Sequence, residues 1–345
     1  MKSYNNRQWL YTKRPEKIVT KEHYSIKSIA LSFDKLNTDE AIIKAKYFSV
    51  DPYMRIQQSA NDTWEEPHPL NVVQQGAVVG QITDINANQY DYEVGDWVLA
   101  YTGWQDYEKV NLNEIRKLNP NELPVTTALG ILGMPARIAY FGLLEVGNPQ
   151  PNESVVVSGA SGAVGQVVAQ IARIKGCRVV GIAGSDDKLK YLKNELGVDI
   201  VINYNHYPTA DKLKRALKKV CPKGIDIYFD NVGGYISDSI FECINLNARI
   251  IICGQISQYS GGLDHPNLGP RFLHHILYKR AKIQGVLARD YNNRMDEMLL
   301  EMTPWVKNGL LKYEETLVEG FDQLPNALNM LFFGKNKGKL IVKND

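Results

Sequence analysis

The sequence predicts an α/β protein that combines a β-rich region with a doubly wound parallel sheet. Residues up to about 125 are rich in β-branched and aromatic side chains broken by turn signals, whereas from about 150 onward apolar runs alternate with stretches of helical period. A last strand-like run, GKNKGKLIVKN, lies near the C-terminus. Strands that alternate with helices are typical of a parallel sheet covered by helices on both faces.

Length and composition indicate a folded protein with room for two domains. The 345 residues are 44% hydrophobic and 23% charged, and the net charge is +2. Basic and acidic residues are mixed, which argues against nucleic acid or an anionic membrane as a partner. The N-terminus lacks an apolar signal region, and no apolar run approaches the roughly 20 residues of a membrane span, so we expect a cytoplasmic protein.

The β-rich region lacks the ligands of a zinc centre. Segments such as AIIKAKYFSV and GAVVGQITDI predict short, mostly antiparallel strands. Residues 1–150 contain no cysteine and only His23 and His68, whereas zinc centres need several Cys or His ligands. The four cysteines, all in the second half, have no short repeated spacing, which favours buried thiols. We therefore expect no metal, and proton transfer by a hydroxyl side chain, a ribose hydroxyl or water.

A glycine-rich segment, SGASGAVGQVVAQIARIKG at 158–176, joins the first strand of the alternating region to its first helix. Such a turn directs backbone N–H groups and the positive helix end at one point, which suits a pyrophosphate. The pattern is Ala160-x-Gly162-x-x-Gly165, with alanine in place of the usual first glycine. Gly162 permits close approach of the phosphate, and Gly165 permits close packing of the helix on the sheet. Its place in the alternating pattern favours a dinucleotide site over a turn without ligand.

The end of the second strand indicates which dinucleotide binds. Gly184 lies 19 residues after Gly165, where an NAD protein carries Asp or Glu for the ribose hydroxyls, and the sequence here is GSDDK. Gly184 and Ser185 leave room for a 2′-phosphate, and Lys188 supplies a cation. The two acids of this segment also suit the start of a helix. We predict NADP rather than NAD; the alternative for Lys188 is a solvated surface lysine.

Motifs along essentially the whole chain are similar to those of one family. VDPYMR at 50–55, GWQDY at 103–107, GMPARIAYFGLLEVG at 133–147, FDNVGG and CGQISQY at 253–259 follow one another in that family's order. The sequence therefore resembles the zinc-free, NADP-dependent alkenal/one oxidoreductases of the medium-chain dehydrogenase/reductase superfamily, also called the prostaglandin reductase or leukotriene hydroxydehydrogenase-like family.

The resemblance implies a particular architecture. A GroES-like β-rich catalytic domain would comprise residues 1–127 and 305–345. A Rossmann NADP-binding domain, residues 128–304, would be inserted between them, with the active site in the cleft where the two meet. A homodimer formed through the edges of the Rossmann sheets is also implied.

The resemblance further assigns site residues. Tyr53 and Tyr259 would be catalytic and face the substrate, and Lys188 and Tyr204 would contact the 2′-phosphate. The cofactor site as a whole would comprise Gly162, Ala163, Val164, Gly165, Gly184, Ser185, Lys188, Tyr204, Asn231, Cys253, Tyr259, Val286, Leu287, Ala288 and Asn336. As alternatives, Tyr53 and Tyr259 are interface packing residues and Asn231 caps a turn.

One segment departs from the family pattern. Ala136, Arg137 and Ile138 stand where the family usually has glycine, an apolar residue and threonine. Loss of the threonine hydroxyl removes a candidate cofactor or substrate contact, and Arg137 offers a charge for a substrate carboxylate. We favour the simpler expectation that Arg137 is exposed on a helix surface.

These features together imply NADPH-dependent reduction of the C=C bond of α,β-unsaturated aldehydes and ketones. Hydride would add to the β-carbon, hydrogen-bond donors would stabilise the enolate oxygen, and the α-carbon would then be protonated. A quinone oxidoreductase of the same superfamily and a non-catalytic NADPH-binding regulator remain alternatives. A short-chain dehydrogenase is disfavoured: YKRAK at 278–282 fits Tyr-x-x-x-Lys, but the nucleotide motif lies mid-chain and its glycine spacing differs.

Overall fold

The computed structural model of the chain describes residues 2–33, 35–60, 63–86, 90–261 and 268–345. The chain divides into two compact units, Met1–Gly130 with Glu315–Asp345 and Ile131–Glu314. The first unit is thus built from both ends of the chain, and the second is continuous.

The secondary structure changes from strands to alternating strands and helices along the chain. The strands are β1 (Lys2–Tyr11), β2 (Tyr24–Phe33), β3 (Glu40–Ser49), β4 (Val72–Val73), β5 (Val78–Asn86), β6 (Trp97–Ala100), β7 (Tyr107–Asn111), β8 (Arg116–Leu118), β9 (Ser154–Ser158), β10 (Arg178–Ala183), β11 (Ile200–Asn203), β12 (Ile225–Asp230), β13 (Ile244–Ile252), β14 (Lys282–Gly285), β15 (Glu315–Glu319) and β16 (Lys339–Lys343). The α-helices are α1 (Tyr53–Gln57), α2 (Met134–Phe141), α3 (Gly165–Ile174), α4 (Asp186–Lys190), α5 (Ala210–Val220), α6 (Gly234–Phe241), α7 (Leu273–Lys279), α8 (Met295–Lys307) and α9 (Leu324–Phe332).

The first unit is β-rich, as predicted. One sheet has the strand order β2-β1-β4, and a second has the order β15-β16-β3-β5-β6-β8, with β7 also paired to β3. All pairs are antiparallel except β15 with β16. Its core is aromatic: Trp9, Phe48, Trp104 and Phe321 are fully buried. The indole N–H of Trp9 donates to the carbonyl of Phe321 at 3.0 Å, so the polar group of this large side chain is satisfied.

The second unit contains the predicted parallel sheet. Its six strands have the order β11-β10-β9-β12-β13-β14, and every pair is parallel. The predicted α/β class with a Rossmann-type sheet and a separate β-rich domain is confirmed. The valines of β9, Val155 to Val157, are wholly buried, as expected where helices cover both faces of a sheet.

The strand order creates a switch point beside β9. From β9 the chain moves outward through β10 to β11 and then returns to place β12 on the other side of β9. In open α/β sheets, ligands bind outside the carboxyl ends of the strands at such a reversal. The ends of β9 and β12 therefore mark the location of the candidate site in this unit.

The second unit extends beyond the predicted boundary. A division at 304/305 falls inside α8, which contains Pro304 and continues to Lys307. Beyond the helix, the side-chain amide of Gln170 donates to the carbonyl of Lys312 at 2.8 Å, and the amide of Glu314 donates to the Gln166 side chain at 3.0 Å. These bonds attach residues up to Glu314 to helix α3, and the unit ends there. At the other boundary, the predicted 127/128 and the observed 130/131 differ by a few residues.

Candidate active site

The glycine turn after β9 brings the start of α3 against the strand's own backbone. A Cβ atom at Gly165 would lie 2.3 Å from the Gly159 carbonyl oxygen and 2.6 Å from the Ala160 Cα, so only glycine fits. The amide of Gly162 donates to the Gly159 carbonyl at 2.9 Å, which closes the turn. A Cβ at Gly162 would meet only that carbonyl oxygen, at 3.2 Å.

This turn fits the pyrophosphate of a dinucleotide. Helix α3 begins at Gly165, and the amides of Gln166 and Val167 already donate to the Gly162 and Val164 carbonyls at 3.0 Å, so we expect the amides of residues 163–165 to serve a phosphate. They lie at the end of β9, the strand beside the switch point, where the positive end of the helix favours an anion. We expect the absence of a side chain at Gly162 to leave a phosphate room to approach the turn.

At the end of β10, two of the predicted 2′-phosphate residues, Gly184 and Tyr204, are in contact. A Cβ at Gly184 would lie 2.7 Å from the Tyr204 hydroxyl oxygen, so this tyrosine packs directly on the glycine. Ser185 precedes α4, and its hydroxyl makes no capping bond to that helix. Lys188 is half-buried, and burial lowers the pKa of its ammonium group. A partly desolvated ammonium on the helix that follows β10 suits a phosphate dianion.

The two acids of the GSDDK segment are engaged by neighbours. The Asp186 carboxylate accepts a hydrogen bond of 2.8 Å from the side-chain amide of Asn203, at the end of β11. Asp187 is exposed and lies 3.7 Å from the ammonium of Lys190, one helical turn away. Neither acid therefore argues for the ribose-binding role that NAD proteins give to an acid at this strand end.

The end of β12 is tied to the end of β9. The side-chain amide of Asn231 donates to the Ser158 carbonyl at 2.8 Å, and its backbone amide donates to the Ser158 hydroxyl at 3.0 Å. Asn231 thus bridges two strands at the switch point, which goes beyond capping its own turn. Sequence reasoning missed its neighbour Asp230, a fully buried carboxylate whose burial no local pattern indicates.

Residues 253–259, which we call the 253–259 turn, follow β13. The amides of Cys253 and Gly254 donate to the Asp230 carbonyl at 2.9 and 3.0 Å. The Tyr259 hydroxyl accepts a bond of 2.9 Å from the amide of Gln255, and burial raises the pKa of that hydroxyl to about 12. Tyr259 therefore stays protonated at physiological pH. The acceptor bond to its oxygen leaves the hydroxyl proton free to be donated.

The remaining predicted cofactor residues lie in both units. The amide of Val286 donates to the Ile252 carbonyl at 3.1 Å, so the β14 end lies beside the start of the 253–259 turn. Leu287 and Ala288 follow, and Ala288 begins a 3₁₀ helix that ends at Arg294. Asn336 belongs to the β-rich unit, where its side-chain amide donates to the Gly338 carbonyl at 3.0 Å.

Tyr53 also belongs to the β-rich unit, as the first residue of α1. Its hydroxyl is hydrogen-bonded to the hydroxyl of Tyr101. Desolvation, followed by the nearby Tyr101 and Asp51, raises the pKa of Tyr53. Desolvation of the hydroxyl also raises the pKa of Tyr101 to about 12, although that residue is 55% exposed. Sequence reasoning missed Tyr101, because nothing local distinguishes it among 19 tyrosines.

A buried ion pair lies just before α1. Asp51 and Lys339 are almost fully buried, and the Lys339 ammonium lies 2.7 Å from the Asp51 carboxylate. The same ammonium donates to the Val50 carbonyl at 2.8 Å, and the Ser49 hydroxyl donates to the second carboxylate oxygen. Both charges are therefore compensated. The pair fixes the chain where it enters the helix that carries Tyr53.

Arg137 does not have the exposed position that we favoured. It is half-buried on α2, and burial lowers the pKa of its guanidinium. One terminal nitrogen lies 4.0 Å from the Met295 sulfur, and within the described part of the chain its buried Nε has no hydrogen-bond partner. Ala136 and Ile138 are buried beside it. The helix turns this position toward α8 rather than toward solvent.

In the part of the chain that the structure describes, the thiols take part in neither a disulfide nor a metal site. All four are free: Cys177, Cys221 and Cys243 are buried and Cys253 is half-buried. Within the described ranges, no three His, Cys, Asp or Glu side chains are arranged to hold a metal ion, so these residues do not fit a zinc centre. No helix among the same residues has the length and apolar character needed to cross a membrane.

Comparison with known proteins places this geometry in a family. Residues 7–118 match the family model described as the N-terminal domain of oxidoreductase, and residues 163–303 match the one described as zinc-binding dehydrogenase. The Bacillus subtilis protein YfmJ is 42% identical over 96% of this chain and 95% of its own length. An NADPH-dependent curcumin reductase of Escherichia coli is 36% identical, covering 98% of this chain and 96% of its own. An NADP(+)-dependent 2-alkenal reductase of Nicotiana tabacum is 37% identical, covering 88% of this chain and 87% of its own.

A solved structure extends the similarity to three dimensions. CurA from Vibrio vulnificus in complex with NADPH has a TM-score of 0.88 at 38% identity, covering 98% of this chain and 99% of that one. The Escherichia coli quinone oxidoreductase complexed with NADPH has a TM-score of 0.76 at 15% identity over 98% of this chain and 99% of its own, which shows a shared fold alone. This chain belongs to the alkenal reductase family of the medium-chain dehydrogenase/reductase superfamily.

Proposed function

We propose that this protein is an NADPH-dependent reductase of the C=C bond of α,β-unsaturated aldehydes and ketones. The observation that carries the proposal is the glycine turn at the switch point, where Gly165 permits α3 to begin directly on the β9 turn. Membership of the alkenal reductase family supports the substrate class, because two of the family relatives above are named for curcumin and 2-alkenals.

The residues at the end of β10 support NADP(H) as the cofactor. Lys188, Ser185 and Tyr204 are proposed to hold the 2′-phosphate, with Tyr204 seated on Gly184. The Asp186 carboxylate already accepts a hydrogen bond from the Asn203 side chain. When bound, NADPH supplies a hydride to the β-carbon of the conjugated double bond. The amides of the glycine turn are proposed to bind the pyrophosphate.

Tyr259, Tyr53 or the ribose hydroxyl of the nicotinamide is proposed to donate a hydrogen bond to the enolate oxygen that develops during reduction. The raised pKa values of the two tyrosines keep both hydroxyls protonated at neutral pH, so each can donate without ionising. Tyr101 supports Tyr53 by fixing the position of its hydroxyl. Either a tyrosine or water then supplies the proton that the α-carbon receives. The product is a saturated aldehyde or ketone.

A spectrophotometric assay tests this function. The purified protein is given NADPH or NADH with a 2-alkenal, an α,β-unsaturated ketone or a quinone, and the products are identified. We expect oxidation of NADPH that depends on the enal or enone and yields the saturated carbonyl, with a weaker rate for NADH. Turnover of the quinone alone would replace this function with a quinone oxidoreductase. Binding of NADPH without any turnover would support a regulator instead.

We further propose that a second copy of the chain covers the β14 edge. All four residues of β14 are exposed, and this strand ends the parallel sheet. Helix α7, which packs on the neighbouring β13, exposes Leu273, Leu277 and Tyr278 by 68–72%. An unpaired edge beside exposed apolar side chains favours pairing with an identical edge. Light scattering checks this: Leu277→Glu should give a monomer, whereas Leu300→Glu, at a leucine of α8 that is 82% exposed, should not.

A cytoplasmic location is part of the proposal. All four cysteines are free thiols, which is typical of proteins kept in a reducing compartment. Cell fractionation with an antibody against the protein tests it, and recovery in an extracytoplasmic fraction would contradict it.

A further inference from the structure

The carboxylate of Asp230 is a centre of hydrogen bonding at the switch point. The residue ends β12 and is fully buried. Its Oδ1 accepts from the hydroxyls of Tyr228 at 2.8 Å and Ser158 at 3.1 Å and from the amides of Val232 and Gly233 at 2.9 Å, while its Oδ2 accepts from the Ser237 hydroxyl at 2.6 Å and the Gln255 side-chain amide at 3.0 Å.

These six donors come from three segments of the chain: Ser158, residues 228–237 and Gln255. Ser158 ends β9, the two amides precede α6, and Gln255 belongs to the 253–259 turn that follows β13. The main-chain carbonyl of Asp230 accepts two further amides from that turn. One residue thus joins the carboxyl ends of three adjacent strands, β9, β12 and β13.

The bond from Gln255 depends on a glycine. Gly233 has a φ of +73°, and a Cβ atom there would lie 2.1 Å from Oε1 of Gln255. The Gln255 side chain therefore passes over Gly233 to reach Asp230. The backbone amide of the same glutamine donates to the Tyr259 hydroxyl at 2.9 Å, so this one residue connects Asp230 to Tyr259.

We propose that Asp230 is a positioning residue for NADPH. It contacts neither cofactor nor substrate in this proposal, and acts through Gln255 and Ser158. Through Gln255 it holds the 253–259 turn, and through the Ser158 hydroxyl, which also accepts the Asn231 amide, it fixes Asn231. The inference rests on the proposed function, because both segments are proposed cofactor contacts.

The same strand offers a matched control. Asp226, near the other end of β12, accepts from the Ser154 amide at 2.8 Å and the Asn245 side-chain amide at 2.7 Å. It too joins three strands, but at the amino ends, about 13 Å away along the strand. A carboxylate that merely holds strands together would behave like Asp226.

The experiment compares Asp230→Asn, Asp226→Asn and Gln255→Met in the full-length protein. We expect Asp230→Asn and Gln255→Met to raise the KM for NADPH about tenfold, since a charge-assisted hydrogen bond is lost in each. A fall in kcat is expected as well, because Tyr259 lies in the same turn. Asp226→Asn should lower the melting temperature and leave the KM for NADPH unchanged. The double variant of Asp230 and Gln255 should be no worse than Asp230→Asn, because both changes remove one interaction.

A second measurement needs no turnover. In the unliganded protein, hydrogen–deuterium exchange of the 253–259 amides should become faster in Asp230→Asn and Gln255→Met, but not in Asp226→Asn. If Asp230→Asn lowers only the melting temperature, with the KM for NADPH and this exchange unchanged, the positioning role is wrong. If that variant fails to fold, Gln255→Met decides by the same two criteria.

The failure of the proposed function has a different signature. Wild-type protein that neither binds NADPH nor oxidises it with an enone would overturn the function and, with it, a role toward NADPH. A second outcome would overturn the positioning role alone. In that outcome the wild-type protein binds NADPH and oxidises it with an enone, but Asp230→Asn and Asp226→Asn give equal KM values for NADPH.

Discussion

The two units differ in how far apart along the chain their key partners lie. In the α/β unit, Gly159 and Gly165 belong to one turn, and Gly184 packs against Tyr204 twenty residues later. In the β-rich unit, the ion pair of Asp51 and Lys339 joins residues 288 positions apart. The first kind of arrangement follows from a local pattern, whereas the second arises only when distant strands pair. Short turns therefore build the proposed cofactor site, whereas the pairing of distant strands builds the surroundings of Tyr53.

The largest effect on stability is expected from Lys339, the long-range partner of Asp51. Lys339→Met should lower the free energy of unfolding by about 3–5 kcal/mol, because it leaves the Asp51 carboxylate buried without its partner. Lys343→Met is the matched control in the same strand, since Lys343 pairs with Glu319 at an exposed position and should contribute about 0–1 kcal/mol. Urea denaturation measures both. Equal losses in the free energy of unfolding would show that the buried ion pair stabilises the β-rich unit no more than the exposed one.

A smaller effect on stability is expected within the glycine turn. Gly165→Ala should cost about 1–3 kcal/mol, because its Cβ would overlap the Gly159 carbonyl. Gly162→Ala should preserve stability and weaken NADPH binding about tenfold, equivalent to about 1.4 kcal/mol, by filling the phosphate approach. Thermal unfolding and NADPH fluorescence titration distinguish the two. A Gly162→Ala variant that binds NADPH normally would contradict the placement of the pyrophosphate.

Within the α/β unit, the proposed contact of Lys188 with the 2′-phosphate can be tested. Lys188→Ala should raise the KM for NADPH about tenfold and leave the KM for NADH unchanged, because only NADPH carries the 2′-phosphate. Lys190→Ala removes an exposed lysine of the same helix, which pairs with Asp187, and should change neither value. Steady-state kinetics with both cofactors provides the measurement. Parallel changes for NADPH and NADH would place Lys188 away from the phosphate.

The smallest effect is expected at the tyrosine pair of the β-rich unit. Tyr101→Phe should lower kcat for an enone about threefold, because Tyr53 keeps its own hydroxyl and loses only one supporting bond of about 0.5–1.5 kcal/mol. Tyr90→Phe, at a ring pair elsewhere in the unit, is the control and should leave kcat unchanged. An unchanged kcat in Tyr101→Phe would show that Tyr101 has no part in the substrate site.

The pH dependence of kcat tests whether Tyr53 and Tyr101 stay protonated. The pKa of Tyr101 is raised to about 12 and that of Tyr53 is raised as well, so both hydroxyls keep their protons as pH rises through the ordinary tyrosine range. We therefore expect no loss of kcat from these groups below about pH 10. A Tyr53-dependent loss, present in wild type and absent in Tyr53→Phe, that begins near pH 8 would show that the pKa of Tyr53 is not raised.

The sequence predicted best what short segments determine. The apolar runs predicted after residue 150 form strands β9 to β14, and the glycine spacing located the start of α3. Both depend on neighbouring residues in the sequence. The boundary near 304 was not predictable in this way, since Pro304, which often signals a helix end, lies inside α8. The burial of Arg137 depends on the packing of α2 against α8. Tyr101 and Lys339 acquire their partners only through long-range strand pairing.

The shielded cysteines have a consequence for an enzyme of this kind. Enals and enones are electrophiles that form adducts with thiolates, and the thiolate rather than the thiol is the nucleophile. Burial raises the pKa of Cys177 and Cys243 to about 11, that of Cys253 to about 12, and that of Cys221 as well. The protein therefore presents almost no thiolate to the compounds that it reduces. It should withstand alkylation by its own substrates, keeping its thiols through incubation with a 2-alkenal before NADPH is added.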